Sequence, residues 1–328
     1  MIELRNIKKT FKVAKRQKGA GAALLSLFRR EYREIHALEG ISFSVKKGEI
    51  AGFIGPNGAG KSTAIKIMSG ILVPDSGECT VLGMCPWKAR QKYVNHIGVV
   101  FGQRTQLWWD VPVHDSLELL KDIYRIDEKR FKKNLDELSQ TLELGELLPV
   151  PLRQLSLGQR MRCEIAASLI HDPEVLFLDE PTIGLDALSK LAVRRIIAGL
   201  NRERNITVIL TSHDMDDIEA LTNRILLIGK GRLLYDGELA ALRSRHDRLR
   251  RLEIQYAGVD NSTPLPEPEG TKLVSHKDNH AVYEVDTGVI GVSAVLRLLG
   301  ETCDIRDMSA GSRPVEEFIA ALYREGNL

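Results

Sequence analysis

Along the first two thirds of the chain, short unbroken apolar runs alternate with stretches whose apolar positions recur every three or four residues. Glu49-Ile-Ala-Gly-Phe-Ile54 is one such run; it ends in a glycine-rich turn, and Lys61 to Ser69 follows with helical spacing. Val175-Leu-Phe-Leu178, entered through Asp172-Pro173, and Ile206-Thr-Val-Ile-Leu-Thr211 read as two further buried strands. Helical patterns over Gln159 to Ile170 and Ala187 to Arg204 alternate with them. Strands apolar on both faces, separated by helices, predict an α/β domain with a mainly parallel sheet covered on both sides.

Between the first and second of these strands, Asp115 to Tyr124 and Asp127 to Leu144 are patterned as amphipathic helices. They predict a helical subdomain, over about residues 104–172, inserted into the sheet domain. After Leu242 the pattern turns to strand-like pieces (Leu252 to Tyr256, Ala281 to Val285, Cys303 to Asp307) and two short helices (Gly291 to Leu299, Val315 to Arg324). Pro264-Leu-Pro-Glu-Pro268 marks a loop among them. Two domains are expected, 1–242 and a small α+β domain over 243–328.

With 43% hydrophobic and 27% charged residues in 328, the composition is that of a folded globular protein. No apolar run approaches the roughly 18–20 residues of a membrane helix, and Met1 to Arg5 lacks the apolar core of a secretion signal, so a cytosolic chain is expected. Cys79, Cys85, Cys163 and Cys303 form no Cys-x-x-Cys pair, which fits reduced thiols rather than zinc. The net charge of +2 does not ask for nucleic acid. Lys8 to Lys18 with Arg29, Arg30 and Arg33, and Arg243 to Arg251, are basic stretches that a solvated surface explains.

The glycine-rich turn is Gly55-Pro-Asn-Gly-Ala-Gly-Lys-Ser-Thr63, a complete phosphate-binding loop placed after a strand and before a helix. Gly58 and Gly60 let backbone N–H groups point at phosphate oxygens, and the following helix adds positive potential at its N-terminus. Gly55, Pro56, Asn57, Ala59 and Thr63 complete the cradle; Lys61 is expected on the β- and γ-phosphates, and the Ser62 hydroxyl on Mg²⁺. Leu176-Phe-Leu-Asp-Glu180 ends a buried strand with two carboxylates, where open parallel sheets place their ligand sites. Asp179 is expected to hold the metal and Glu180 to act as general base on water.

These motifs, together with Leu155-Ser-Leu-Gly-Gln-Arg160, resemble those of an ATP-binding-cassette (ABC) ATPase over about residues 1–242. The last resembles the family's Leu-Ser-Gly-Gly-Gln signature with Leu157 in place of the first glycine. The resemblance implies a P-loop NTPase fold of ABC type and ATP with Mg²⁺ as cofactors. It also implies that Ser156, Gly158 and Gln159 face the ATP of a second ABC ATPase subunit, in a homodimer. Read without the family, Ser156 and Gln159 form a helix capping box; both readings can hold. Gln103 resembles the Q-loop glutamine that contacts Mg²⁺ and water, Gly184-Leu-Asp186 the D-loop crossing the dimer seam, and His213 the switch histidine on the γ-phosphate. Phe11 matches the adenine-stacking aromatic, with Tyr32 as the alternative, because Lys12 to His36 is inserted where many cassettes have a short turn.

Within that insertion, Leu24 to Arg33 has the spacing of an amphipathic helix, suited either to anionic lipid and a membrane subunit or to solvent. Trp108 and Trp109 suit either an interface or the subdomain's own core. The run Phe101 to Trp109, the insertion and the trailing domain are similar to a bacterial exporter group with separate transmembrane permease subunits, linked to efflux of viologen-like cations and drugs. That resemblance implies a subunit on the cytoplasmic face of the cell membrane. DNA-organising or ribosome-associated ATPases of the same kind would carry a long coiled coil or a second cassette, and neither is present in the sequence.

Overall fold

The computed structural model describes residues 1–14, 32–102, 104–212, 214–244, 249–258 and 264–312. It forms two compact units, Met1–Gly237 and Glu238–Leu328. The first opens with β1 (Ile2–Ala14), β2 (Tyr32–Val45), β3 (Ile50–Ile54), α1 (Lys61–Met68), β4 (Ser76–Val81), a single turn α2 (Arg90–Tyr93) and β5 (Ile97–Phe101). Next come α3 (Val113–Tyr124), α4 (Glu128–Thr141) and α5 (Leu157–Leu169). It continues through β6 (Val175–Asp179), α6 (Ala187–Arg204), β7 (Thr207–Ser212), α7 (Met215–Leu221), β8 (Arg224–Gly229) and β9 (Arg232–Glu238).

Its main sheet has the order β5-β6-β7-β3-β8-β9, with β5, β6, β7, β3 and β8 parallel. Strands covered on both faces are predominantly apolar, and Val175 to Leu178 and Thr207 to Ser212 are buried at every position. The P-loop strand β3 lies between β7 and β8 and delivers the phosphate loop at the carboxyl end of the sheet.

A second, antiparallel sheet of order β2-β1-β4 packs its apolar side, with Ile2, Leu4, Ile7, Ile41 and Phe43, into the same core as α1. Both ends of the expected inserted segment, residues 12–36, belong to this sheet. Lys12 to Ala14 and Tyr32 to His36 continue the β1–β2 hairpin, with Val13 opposite Arg33 and Ala14 opposite Tyr32. The expected helix over 24–33 therefore cannot include Tyr32 or Arg33, whose backbones are paired in the ladder; Leu24 to Glu31 lies outside the described residues. Trp108 and Trp109 are 42% and 47% exposed, so neither belongs to a core.

The helical subdomain is fastened to the sheet through His171, which follows α5. Its ring stacks on Tyr124 at 4.0 Å, and its Nε2–H donates to the carbonyl of Ile97 in β5 at 2.9 Å. Asn134 of α4 donates to the Ile170 carbonyl beside it at 2.9 Å. Burial, partly offset by the Ile97 carbonyl, pushes the His171 pKa down to about 4. An unfolded histidine takes up its proton near pH 6.5, so between those two values the unfolded chain binds more protons and stability falls as pH is lowered, by up to about 1.4 kcal/mol per pH unit. Thermal melts from pH 7 to 4 should show His171→Asn losing less stability than wild type across that window. Parallel curves would place the ring elsewhere than in this buried contact.

The second unit holds α8 (Leu239–Ser244), β10 (Leu249–Ala257), β11 (Thr271–Lys277), β12 (His280–Asp286), α9 (Val292–Gly300) and β13 (Asp304–Ser312). The expected boundary at 242–243 falls inside α8, and the unit begins just before that helix. The sheet is antiparallel, of order β11-β12-β10-β13. Val295 and Leu299 of α9 share its core with Leu252, Ile254, Tyr256 and Tyr283. The helix expected over Val315 to Arg324 lies outside the described residues.

Candidate active site

The phosphate loop runs from Gly55 to Gly60, and Gly60 caps α1 in a left-handed conformation, φ 112°. Lys61, the first helical residue, is 5% exposed; its Nζ donates to the carbonyls of Gly55 at 2.5 Å and Pro56 at 3.2 Å. Burial lowers its pKa, and the charges of Glu180 and Asp179 act in the opposite direction. An ammonium folded into a glycine-rich loop at a helix N-terminus is a site for polyphosphate.

The Ser62 hydroxyl donates to Asp179 Oδ1 at 3.1 Å, and Thr211 Oγ1 donates to the same oxygen at 2.8 Å. A hydroxyl and a carboxylate converging beneath a phosphate loop are the hard oxygen donors that Mg²⁺ takes. Glu180 follows with φ 56°, a left-handed backbone rare outside glycine, and its N–H is shared between the Thr211 carbonyl at 3.2 Å and hydroxyl at 2.9 Å. Those bonds hold the strained residue at the end of β6.

Gly102 stands against this turn. Its N–H donates to the Asp179 carbonyl at 2.8 Å, and a Cβ placed on it would come within 2.2 Å of the Glu180 carbonyl oxygen. Only glycine lets the chain leaving β5 approach so closely. The resulting cleft, about 510 Å³, is lined by Asn57, Ser62, Arg104, Asp179 and Glu180 among others.

Ser156 does not line that cleft. It caps α5 in a complete capping box: its hydroxyl accepts from Gln159 N–H at 3.3 Å, while Gln159 Oε1 accepts from Ser156 N–H at 2.8 Å. Leu157 is the first helical residue, so a side chain there needs no unusual backbone. Gly158 packs on Ser189, whose N–H and hydroxyl donate to Asp186 at 2.9 and 2.8 Å. The signature thus packs against the start of α6, which Asp186 caps.

The family model for the ABC transporter domain matches residues 38–183. The chain is 32% identical over 215 residues to the ABC transporter ATP-binding protein NatA of Bacillus subtilis (strain 168), a match covering 66% of this chain and 87% of that protein. It is 31% identical to the bacitracin transport ATP-binding protein BcrA of Bacillus licheniformis, over 90% of this chain and 95% of that protein. The chain belongs to the ABC transporter family.

A dimeric post-hydrolysis structure of the ATP-binding cassette MJ0796 with ADP and Pi superimposes with a TM-score of 0.61 at 26% identity, over 73% of this chain and 99% of that one. The protein is an ATP-binding and ATP-hydrolysing subunit that energises transport, and cassettes of its family dimerise and partner with transmembrane permease subunits. Among the described residues no helix is long and apolar enough to cross a membrane.

In this ABC ATPase the structure brings together the phosphate loop, Asp179 and Glu180. Gln103 and His213 lie outside the described residues. Phe11 pairs with Ile35 on the hairpin, with Lys9 Nζ 5.8 Å from its ring centre. Tyr32, paired with Ala14, sits on the opposite hairpin face, so the two aromatics cannot serve the same ligand position.

Sequence reasoning did not single out Thr211, nor the buried carboxylate of Asp217. Asp217, fully buried on α7, accepts from Thr182 just after the Glu180 turn, from Ser212 at 3.1 Å and from Arg194 Nε at 2.6 Å. The available signal was a pair of hydroxyl residues, Thr211 and Ser212, ending an otherwise apolar strand.

Proposed function

We propose that the chain is the motor of an exporter, working as a homodimer on the cytoplasmic face of the cell membrane, with Mg·ATP enclosed between Lys61 and Ser62 of one copy and Ser156, Gly158 and Gln159 of the other. One observation carries this reading: the cleft holding Ser62, Asp179 and Glu180 lacks Ser156, while the capped N-terminus of α5 stands outside it. A helix N-terminus with a serine cap suits the γ-phosphate of a second chain's nucleotide. Asp186, which accepts from Ser189 beside Gly158, belongs to the same seam.

Ser62 and Asp179, with Gln103, would hold Mg²⁺, which neutralises phosphate charge when bound. Glu180 takes the proton of the attacking water, His213 contacts the γ-phosphate, and Phe11 stacks on adenine. Relatives named for bacitracin transport, linearmycin resistance and daunorubicin resistance support a drug-like cargo moving outward. Nucleic acid is not a partner in this reading.

Mixing two inactive variants tests it. Lys61→Ala and Ser156→Ala should each lose about 10²-fold or more in turnover, since each removes a group aimed at phosphate. Combined, they place both lesions in one composite site and leave the other intact, and random pairing restores roughly a quarter of wild-type activity. Recovery that fails although both variants dimerise would refute sites shared between two copies.

A further inference from the structure

The segment leaving β5 is bound to the signature helix at two points one helical turn apart. At the first, Glu164 of α5, only 6% exposed, accepts from the Thr105 hydroxyl and from the Gln106 N–H at 3.2 Å. The Gln106 side-chain amide donates to the Glu164 carbonyl at 3.2 Å, closing a ring of hydrogen bonds around one residue. At the second, the Arg160 guanidinium lies 4.5 Å from the centre of the Trp109 ring. Arg160 also donates to the Leu155 carbonyl at 2.9 Å and the Arg153 carbonyl at 3.3 Å, the backbone leading into Ser156.

Glu164 is surrounded on its helix by Cys163, Ile165, Ala166 and Ala167, all buried. An apolar residue would pack there without the cost of taking a carboxylate from water, and burial does push the Glu164 pKa up against its hydrogen bonds. Two bonds into one short segment offset that cost, and their effect is to fix the segment rather than the helix. The same segment starts at Gly102, locked to Asp179 and Glu180, and carries Arg104 on the wall of the cleft.

We propose that Glu164 is a positioning residue for ATP hydrolysis: by clasping Thr105 and Gln106 it joins the wall of the chain's own catalytic cleft to the helix whose capped end serves the other nucleotide. The proposal rests on the shared-site reading above. Through this clasp, displacement of the cleft wall by bound nucleotide is carried into the placement of Ser156, without altering any group that touches the nucleotide in the same chain.

Turnover and binding separate the possibilities in the full-length chain. Glu164→Ala should cut kcat by about tenfold or more, since misplacement of order 1 Å can cost up to 10²-fold, while the dilute chain binds a non-hydrolysable ATP analogue within about twofold of wild type. Glu164→Gln, whose amide oxygen can accept from the Gln106 N–H while its NH2 donates to the Thr105 hydroxyl, should recover most of the loss. Thr105→Val, which removes one donor and leaves the helix unchanged, should show the same split if Glu164→Ala folds poorly. Equal losses in kcat and analogue binding, no rescue by glutamine, or unchanged kcat in both Glu164→Ala and Thr105→Val would overturn the proposal. Ser156→Ala serves as the reference: if it hydrolyses ATP normally, the shared-site reading itself has failed; if it is inactive while Glu164→Ala is normal, only the clasp has.

Discussion

Glu180→Gln is expected to bind ATP within a few-fold of wild type and to hydrolyse it about 10²–10⁴-fold more slowly, the usual contribution of a positioned general base. The substitution is close to isosteric, and what holds position 180 is backbone: its N–H on Thr211, and the Asp179 carbonyl on Gly102. Neither bond depends on the carboxylate. The φ of 56° persists too, because the turn is imposed by the neighbours and not by the side chain. Binding rests on the phosphate loop and Lys61, whose hydrogen bonds to Gly55 and Pro56 the mutation leaves in place. The amide can still hydrogen-bond water and cannot take its proton. Single-turnover assays measure the chemical step, and size-exclusion in ATP should show the variant accumulating as a dimer. Turnover at the wild-type rate would remove Glu180 from its role.

Much of the nucleotide cleft was legible because its parts are contiguous. Nine residues, Gly55 to Thr63, carry the cradle, the lysine and the hydroxyl, and two adjacent carboxylates end an apolar run. The parallel sheet was legible for the same reason, since β3 and β6 are apolar at nearly every position and β7 carries the apolar run Val208 to Leu210. The β2-β1-β4 sheet was not. Ile2 to Ala14 mixes lysines with apolar residues, and register shifts at Leu4 to Ile7 and Lys9 to Thr10 break the alternation that marks a strand. The hairpin was consequently not read as strands, and its far end read only as an insertion. The polar networks were hidden by distance along the chain: Thr105 reaches Glu164, and Thr182, Arg194 and Ser212 reach Asp217, each residue ordinary in its own surroundings.

That second network carries the other large effect. Asp217→Ala is expected to destabilise the first unit by about 3–5 kcal/mol, because it leaves the Arg194 guanidinium without its carboxylate in a buried place. Arg194 is bound at 2.5 Å by Nη2 as well as through Nε, and its side chain is only 15% exposed. For a unit of this size the melting temperature should fall by about 6–20 °C. The loss should reach activity before it reaches unfolding. Thr182 follows the Glu180 turn and Ser212 precedes His213, so Asp217 ties the segment after the proposed base to the segment before the switch histidine. Hydrolysis measured well below the melting temperature should therefore drop as well, with ATP binding little changed. The double replacement of Asp217 and Arg194 by leucine separates charge from packing, since removing both partners of a buried pair is often near neutral for stability. It should regain much of the melting temperature and little of the activity, because Thr182 and Ser212 remain without their common acceptor. A melting temperature within about 2 °C of wild type for Asp217→Ala would mean that the three donors are satisfied without it.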